Sequence, residues 1–142
     1  MKPNRNRVSD EEYRFTQGVL LSETDSRGII TYVNRRFCQV SGYDREELLG
    51  KNHNIVRHPD MPQEIFRELW ETIREGRSWE GLIKNLRKDG RYYWVRTHID
   101  PLRNIEKDEE GYIAVHRPVD PEEAREAELQ YKTLLIQEKA RT

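Results

Sequence analysis

Lys88-Asp89-Gly90 separates two runs, 79–87 and 91–99, that are rich in β-branched and aromatic residues. An Asp-Gly turn between such runs is a strong hairpin signal, so the two runs are read as paired antiparallel strands. A second hairpin is read nearer the start of the chain, with strands over 19–23 and 29–33 joined by Asp25-Ser26-Arg27-Gly28. A polar loop over 104–110 leads to a fifth strand over 111–117. Between the hairpins the signals are helical. Asn34 caps a helix over 35–40 that closes near Gly42, and Asp44 to Glu47 repeats the capping pattern before Gly50. Gln63–Arg74 places Ile65, Phe66, Leu69, Trp70 and Ile73 on one helical face. Ser9-Asp10-Glu11-Glu12 reads as a capping box that opens a short amphipathic flap helix to about Gln17, where Gly18 breaks it. Asp120-Pro121-Glu122-Glu123 opens a last helix, and Ala124, Ala127, Tyr131 and Leu134 form a short seam on it for a partner helix or the sheet. The fold class is therefore α+β: a five-stranded antiparallel sheet, short helices gathered on one face, an N-terminal flap helix and a C-terminal helix. A ligand would sit between the sheet and those helices.

Composition narrows the function. Lysine and arginine number 25 against 26 acids in 142 residues. Without a basic excess, nucleic-acid binding loses its main driving force. No apolar run reaches the ~18 residues that would span a membrane, and no signal peptide opens the chain. One cysteine, Cys38, excludes an internal disulfide and a cysteine-rich zinc site, which fits the cytoplasm. No nucleophile–base pair, metal-ligand spacing or phosphate-cradling glycine loop is present, so neither catalytic residues nor metal ligands are expected and an enzyme is the least favoured class.

Asn54-Ile55-Val56-Arg57-His58-Pro59-Asp60-Met61-Pro62 is the segment that bears most on function. It sets two cationic-capable side chains and rigid backbone beside the sheet, which suits a planar, phosphate-bearing ligand. Arg57 offers a forked donor to phosphate or a carbonyl edge, although Arg57 and His58 also read as loop surface. Asn85, if it shares a strand face with Ile83, is a buried amide that must find partners. Trp70 reads as pocket wall in preference to plain core packing, Phe66 on the same face more easily as core, Trp79 as a sheet or pocket-edge residue, and Asn34 as a helix cap.

Several signatures together resemble a PAS sensor domain: Asp25-x-x-Gly28-x-Ile30-x-Tyr32-x-Asn34, Phe37-x-x-Val40-x-Gly42-Tyr43, Glu47-Leu48-Leu49-Gly50 and Tyr92-Tyr93-Trp94-Val95. The likeness covers roughly 18–119, leaving 1–17 as an N-terminal cap and 120–142 as a linker or signalling helix. The run from His53 to Pro62, Trp70, Trp79-x-Gly81-x-x-Lys84-Asn85 and Tyr93-Trp94-Val95-Arg96 is similar to the FAD-binding PAS domain of bacterial aerotaxis receptors and to flavin-containing regulators of nitrogen fixation. That resemblance implies non-covalent FAD, read as oxidised or reduced, with the change passed to a chemotaxis-type receptor or kinase. It implies cofactor contacts from Asn34, Arg57, His58, Phe66, Trp70, Trp79, Asn85 and His116. It also implies a cytoplasmic domain, free or attached to a membrane-bound receptor, and a homodimer formed through the flap helix or the Ala124–Leu134 seam. The photoreceptor LOV branch places a cysteine where His53 stands, so a flavin–cysteine adduct is not expected. The alternatives are a haem PAS domain with His53 or His58 as ligand, and a cofactor-free interaction module.

Overall fold

A computed structural model describes residues 8–141; residues 1–7 of the expected N-terminal cap, and Thr142, lie outside the described residues. The elements run β1 (Leu20–Asp25), β2 (Ile30–Val33), α1 (Arg35–Ser41), α2 (Arg45–Leu48), a 3₁₀ turn (His53–Val56), α3 (Gln63–Arg74), β3 (Trp79–Leu86), β4 (Tyr92–Asn104), β5 (Glu109–Arg117) and α4 (Pro121–Ala140). The strands form one antiparallel sheet in the order β2-β1-β5-β4-β3. Both hairpins are where the turn residues place them. β4 and β5 extend into the segment read as loop, with Pro101 opposite Tyr112 and Asn104 opposite Glu109.

Strand alternation sorts the sheet into two faces. Leu20, Ile83, Tyr93, Val95, Ile99 and Ala114 face inward and meet Phe37, Val40, Leu48, Leu69 and Ile73 from α1, α2 and α3. Leu82, Tyr92 and Trp94 face the other way and pack against Ala124, Ala127 and Tyr131 of α4. The three short helices thus share one face, whereas α4 lies on the other. The Ala124–Leu134 seam is accordingly occupied within the chain: the Tyr131 hydroxyl donates to the Leu82 carbonyl at 2.7 Å.

α4 then reaches past the edge strand β3 to the opposite side of the sheet. The Glu138 carboxylate accepts from the backbone N–H groups of Gln63 (3.0 Å) and Glu64 (2.9 Å). Pro62, which stands at the N-cap of α3, supplies no side-chain cap, so Glu138 satisfies donors that its own helix leaves open. Midway along α4, Glu128 meets Lys84 at 3.0 Å, and Lys84 also reaches Asp60 at 3.2 Å. Burial alone would lower the Lys84 pKa, but Glu128 and Asp60 raise it on balance. The charge is therefore retained on a side chain only 7% exposed.

The flap helix expected over 9–17 is absent. This segment runs extended along β4, with Glu12 bridged to Tyr92 and the Tyr13 N–H donating to the Tyr92 carbonyl at 2.7 Å. Tyr13 lies under the Arg87 and Arg91 guanidiniums, at 4.0 and 5.2 Å from its ring centre, and Phe15 enters the core.

Candidate functional site

The inward face of the sheet and α3 enclose a cavity of about 330 Å³, with one rim formed by Gly28 and by the 3₁₀ turn. That is the lower end of the range for small-molecule sites, ~300–1,000 Å³. α3 supplies Phe66 and Trp70 as one wall, because i and i+4 share a helical face. Tyr112 of β5 meets Trp70 edge-on at 5.8 Å. Gly28 closes the approach: its φ of +84° serves the hairpin turn, and a Cβ there would come within 3.0 Å of the Trp70 ring. Larger side chains would push Trp70 into the cavity.

Polar groups line the sheet side. Asn85 shares the inward face with Ile83, as its position opposite Tyr93 dictates, and is 5% exposed. Its amide offers a donor and an acceptor to a ligand edge. Ser22, Thr97 and His116 lie beside it, all buried, and His53 enters from the 3₁₀ turn. Ser22 Oγ is 3.0 Å from His53 Nε2 and 3.3 Å from His116 Nε2, while Thr97 Oγ1 is 2.8 Å from His116 Nδ1. Burial pushes His53 down to about 4. Burial, then repulsion from His53, pushes His116 down to about 3. His53, at the rim, is only partly buried, so His116 is the ring whose neutrality is secured by full burial.

The remaining lining carries charge of one sign. Arg27, Arg57 and Arg74 border the cavity, and no carboxylate lines it among the described residues. The Arg57 guanidinium lies 3.9 Å above the Phe66 ring, and its backbone bridges to Asn85, so the 53–57 segment is fixed to both α3 and β3. Arg74 lies over Trp70 at 5.0 Å. The rim therefore attracts anions, and guanidiniums suit phosphate.

Of the residues expected from sequence, Arg57, Phe66, Trp70, Asn85 and His116 come together around this cavity, and Asn34, His58 and Trp79 lie outside its lining. The Asn34 carboxamide is engaged in the backbone: Oδ1 accepts from Phe37 N (3.0 Å) and Leu21 N (3.1 Å), and Nδ2 donates to the Val19 carbonyl (3.0 Å). His58 Nδ1 accepts from the Asp60 N–H at 3.0 Å, and its ring meets Tyr92 edge-on on the α4 side of the sheet. Trp79 packs over Gly81 in the core, where a Cβ would clash at 2.5 Å. Cys38 is half-buried against the core and is not part of the lining. Ser22 and Thr97 have as their one sequence signal a polar side chain at an inward strand position, and His53, named from sequence only as an alternative haem ligand, joins them at the rim.

Residues 30–116 match the model of the PAS fold. The chain belongs to the PAS family. This PAS domain is 44% identical over 115 residues to the aerotaxis receptor of Escherichia coli (strain K12), covering 81% of the chain and 22% of the receptor. It is 36% identical over 101 residues to the nitrogen fixation regulatory protein of Klebsiella pneumoniae, covering 71% of the chain and 20% of that protein. The PAS domain thus spans about a fifth of the length of these relatives. Among solved structures, the PAS domain of a protein from Colwellia psychrerythraea superposes with a TM-score of 0.63 at 24% identity, covering 71% of this chain and 86% of that one, a likeness of fold. No helix among the described residues is long and apolar enough to cross a membrane.

Proposed function

We propose that this PAS domain is a redox or oxygen sensor that binds FAD non-covalently and passes the redox state of the cofactor to a chemotaxis-type signalling partner. The observation that carries the reading is the lining itself: aromatic walls, buried amide and imidazole groups along the sheet, three arginines at the edge and no carboxylate among the described residues. An isoalloxazine is flat, has alternating donors and acceptors on its edge, and is tethered to a pyrophosphate, so each part of the lining has a matching part of the ligand. Trp70, Phe66 and Tyr112 would bound the ring, Asn85 and His116 would meet its edge, and Arg57, Arg27 and Arg74 would face the phosphates. When bound, the flavin supplies the one- and two-electron chemistry; the protein supplies orientation, proton occupancy and charge. Relatedness to a receptor named for aerotaxis supports the same reading.

The route outward would be α4, which makes 120–142 a signalling helix attached to the sensor at 18–119. Asp60 and Pro62 follow directly on the Arg57 segment, and α4 holds both ends of that stretch, through Lys84–Glu128 and through Glu138 on the first turn of α3. A shift of the cavity wall would change how firmly α4 is held, giving two states that a cofactor can bias. The homodimer expected from sequence would use a different surface from either one named for it. Phe15 and the seam are packed internally, whereas Leu129 and Ile136, seven residues apart on the outer side of α4, are 65% and 69% exposed.

A visible spectrum of the purified protein, followed by chromatography of any released cofactor, tests the reading. A flavin spectrum with FAD released supports it, and Arg57→Ala and Asn85→Ala should then lower FAD occupancy by about tenfold or more, the cost of one or two charge-assisted or buried hydrogen bonds. An intense Soret band would move the assignment to haem, and a protein that stays colourless with added FAD would leave an interaction module.

A further inference from the structure

His53, Ser22, His116 and Thr97 come from the 3₁₀ turn and from three different strands, yet their polar atoms meet in one unbranched line. Thr97 and His116 are direct cross-strand partners, and Ser22 is the diagonal neighbour of His116 through the pairing of Ser22 with Ala114. Three members are closed to solvent, at 1% exposed for Ser22 and Thr97 and 3% for His116. His53 alone is partly exposed. The Phe37 ring stands edge-on to both imidazoles, 5.8 Å from each, and shields the flank of the line.

We propose that these four residues are a proton wire, carrying one proton from His53 at the rim of the cavity to the Thr97 hydroxyl deeper inside it, and so to a bound ring that gains a proton when it is reduced. The identity of that ring as a flavin rests on the function proposed above; the wire rests on its own geometry.

A neutral imidazole carries one N–H and one lone pair, and a hydroxyl donates once and accepts. The line therefore has two settings of opposite direction. In the first, His53 Nε2–H donates to Ser22 Oγ, the Ser22 hydroxyl donates to His116 Nε2, and His116 Nδ1–H donates to Thr97 Oγ1. Transfer breaks the His53 Nε2–H bond as that proton joins Ser22 Oγ. The proton Ser22 held passes to His116 Nε2, the Nδ1 proton of His116 passes to Thr97 Oγ1, and the original Thr97 proton passes to the ligand. His53 regains a proton at Nδ1 from water. Each residue ends neutral, one proton has crossed, and the line is left in the second setting until both imidazoles return to their first tautomers and the hydroxyls rotate back. The electrons come from an external reductant and never reside on the wire. The low pKa values of both rings agree with this, because a protonated imidazole has no lone pair to accept along the line.

Two measurements on the full chain decide it. The first needs no cofactor: ¹⁵N NMR of the histidine rings in wild type and Ser22→Ala. The expected result is two neutral rings near pH 7 in wild type and a changed His116 tautomer population in Ser22→Ala; a charged His116, or a tautomer indifferent to Ser22, overturns the wire. The second follows proton uptake from weak buffer with an indicator dye when FAD-loaded protein is reduced by dithionite. Per bound FAD, Ser22→Ala should slow uptake by about tenfold or more, and Ser22→Thr, which keeps a hydroxyl, should restore most of it. Equal rates in Ser22→Ala and wild type overturn the proposal. Failure to bind FAD at all overturns the flavin reading instead, and the tautomer measurement then stands as the test of the wire.

Discussion

His116 occupies an inward position of β5 where an aliphatic side chain would pack without needing partners. Its burial has a consequence for stability. The folded ring titrates at about 3, well below the ordinary value of 6.5. Between those values the unfolded chain binds a proton that the folded one refuses, so this stability is complete above about pH 6.5 and is lost as pH falls. The loss of stability by urea unfolding between pH 7 and pH 4.5 should be smaller in His116→Gln than in wild type by on the order of 2 kcal/mol, with His53 contributing separately over the same range. An unchanged profile in the variant would place the acid sensitivity elsewhere. Residue by residue, the site was legible where a side chain departed from its strand or helix pattern. Asn85 stands out among apolar neighbours, and Trp70 and Phe66 mark a wide aromatic face. Asn34, His58 and Trp79 carry the same letters but are engaged by a helix cap, a tight turn and a core contact, none of which spacing reveals. Ser22 and Thr97 carry no such signal, because a hydroxyl on a strand is ordinarily exposed; only the register shows that both point inward.

Element boundaries followed local chemistry closely wherever turn or cap residues were strong: Asn34 and Asp44 start helices, and Gln63–Arg74 is helical throughout. The segment over 9–17 went the other way. Its capping signature is local, but Tyr13 and Phe15 are two apart, the period of a strand, and pairing with Tyr92 outweighs a short helix with little to bury. The same competition between local and distant partners appears at α3, whose first turn is capped by α4. Glu138→Gln keeps the shape and removes the charge, so it should cost about 1 kcal/mol, with faster amide exchange at Gln63 and Glu64. Exchange unchanged at those two amides would mean that Glu138 is not their partner in solution. Lys84 and Glu128 should show a coupling of about 1–3 kcal/mol in a double-mutant cycle, since removing either alone leaves a partly buried charge.

For the molecule as a whole, α4 is part of the folded unit rather than a tail beyond it. Tyr131→Glu should therefore lower the melting temperature by several degrees, because it places a charge against Trp94 and Leu82. Leu129→Glu together with Ile136→Glu should leave the melting temperature within about two degrees and, if the outer face of α4 mediates self-association, lower the mass seen by light scattering. A melting temperature indifferent to Tyr131→Glu would place α4 off the sheet. The sheet, the four helices from 35 onward and the position of the cavity could be read from the sequence because hairpins and caps are local. The side of the sheet that α4 takes could not, because Ala124, Ala127 and Tyr131 suit either surface. The cap that Glu138 places on α3 bridges 75 positions of sequence, and this bears on the order in which the chain assembles. The opening turn of α3 cannot be completed until the last helix has formed and docked, so it should be among the final parts to become protected during refolding. Cleavage within α4 would have a matching effect: a cut after Gln137 removes the carboxylate from a helix that also carries Phe66 and Trp70, and the loss would be felt at the cavity wall.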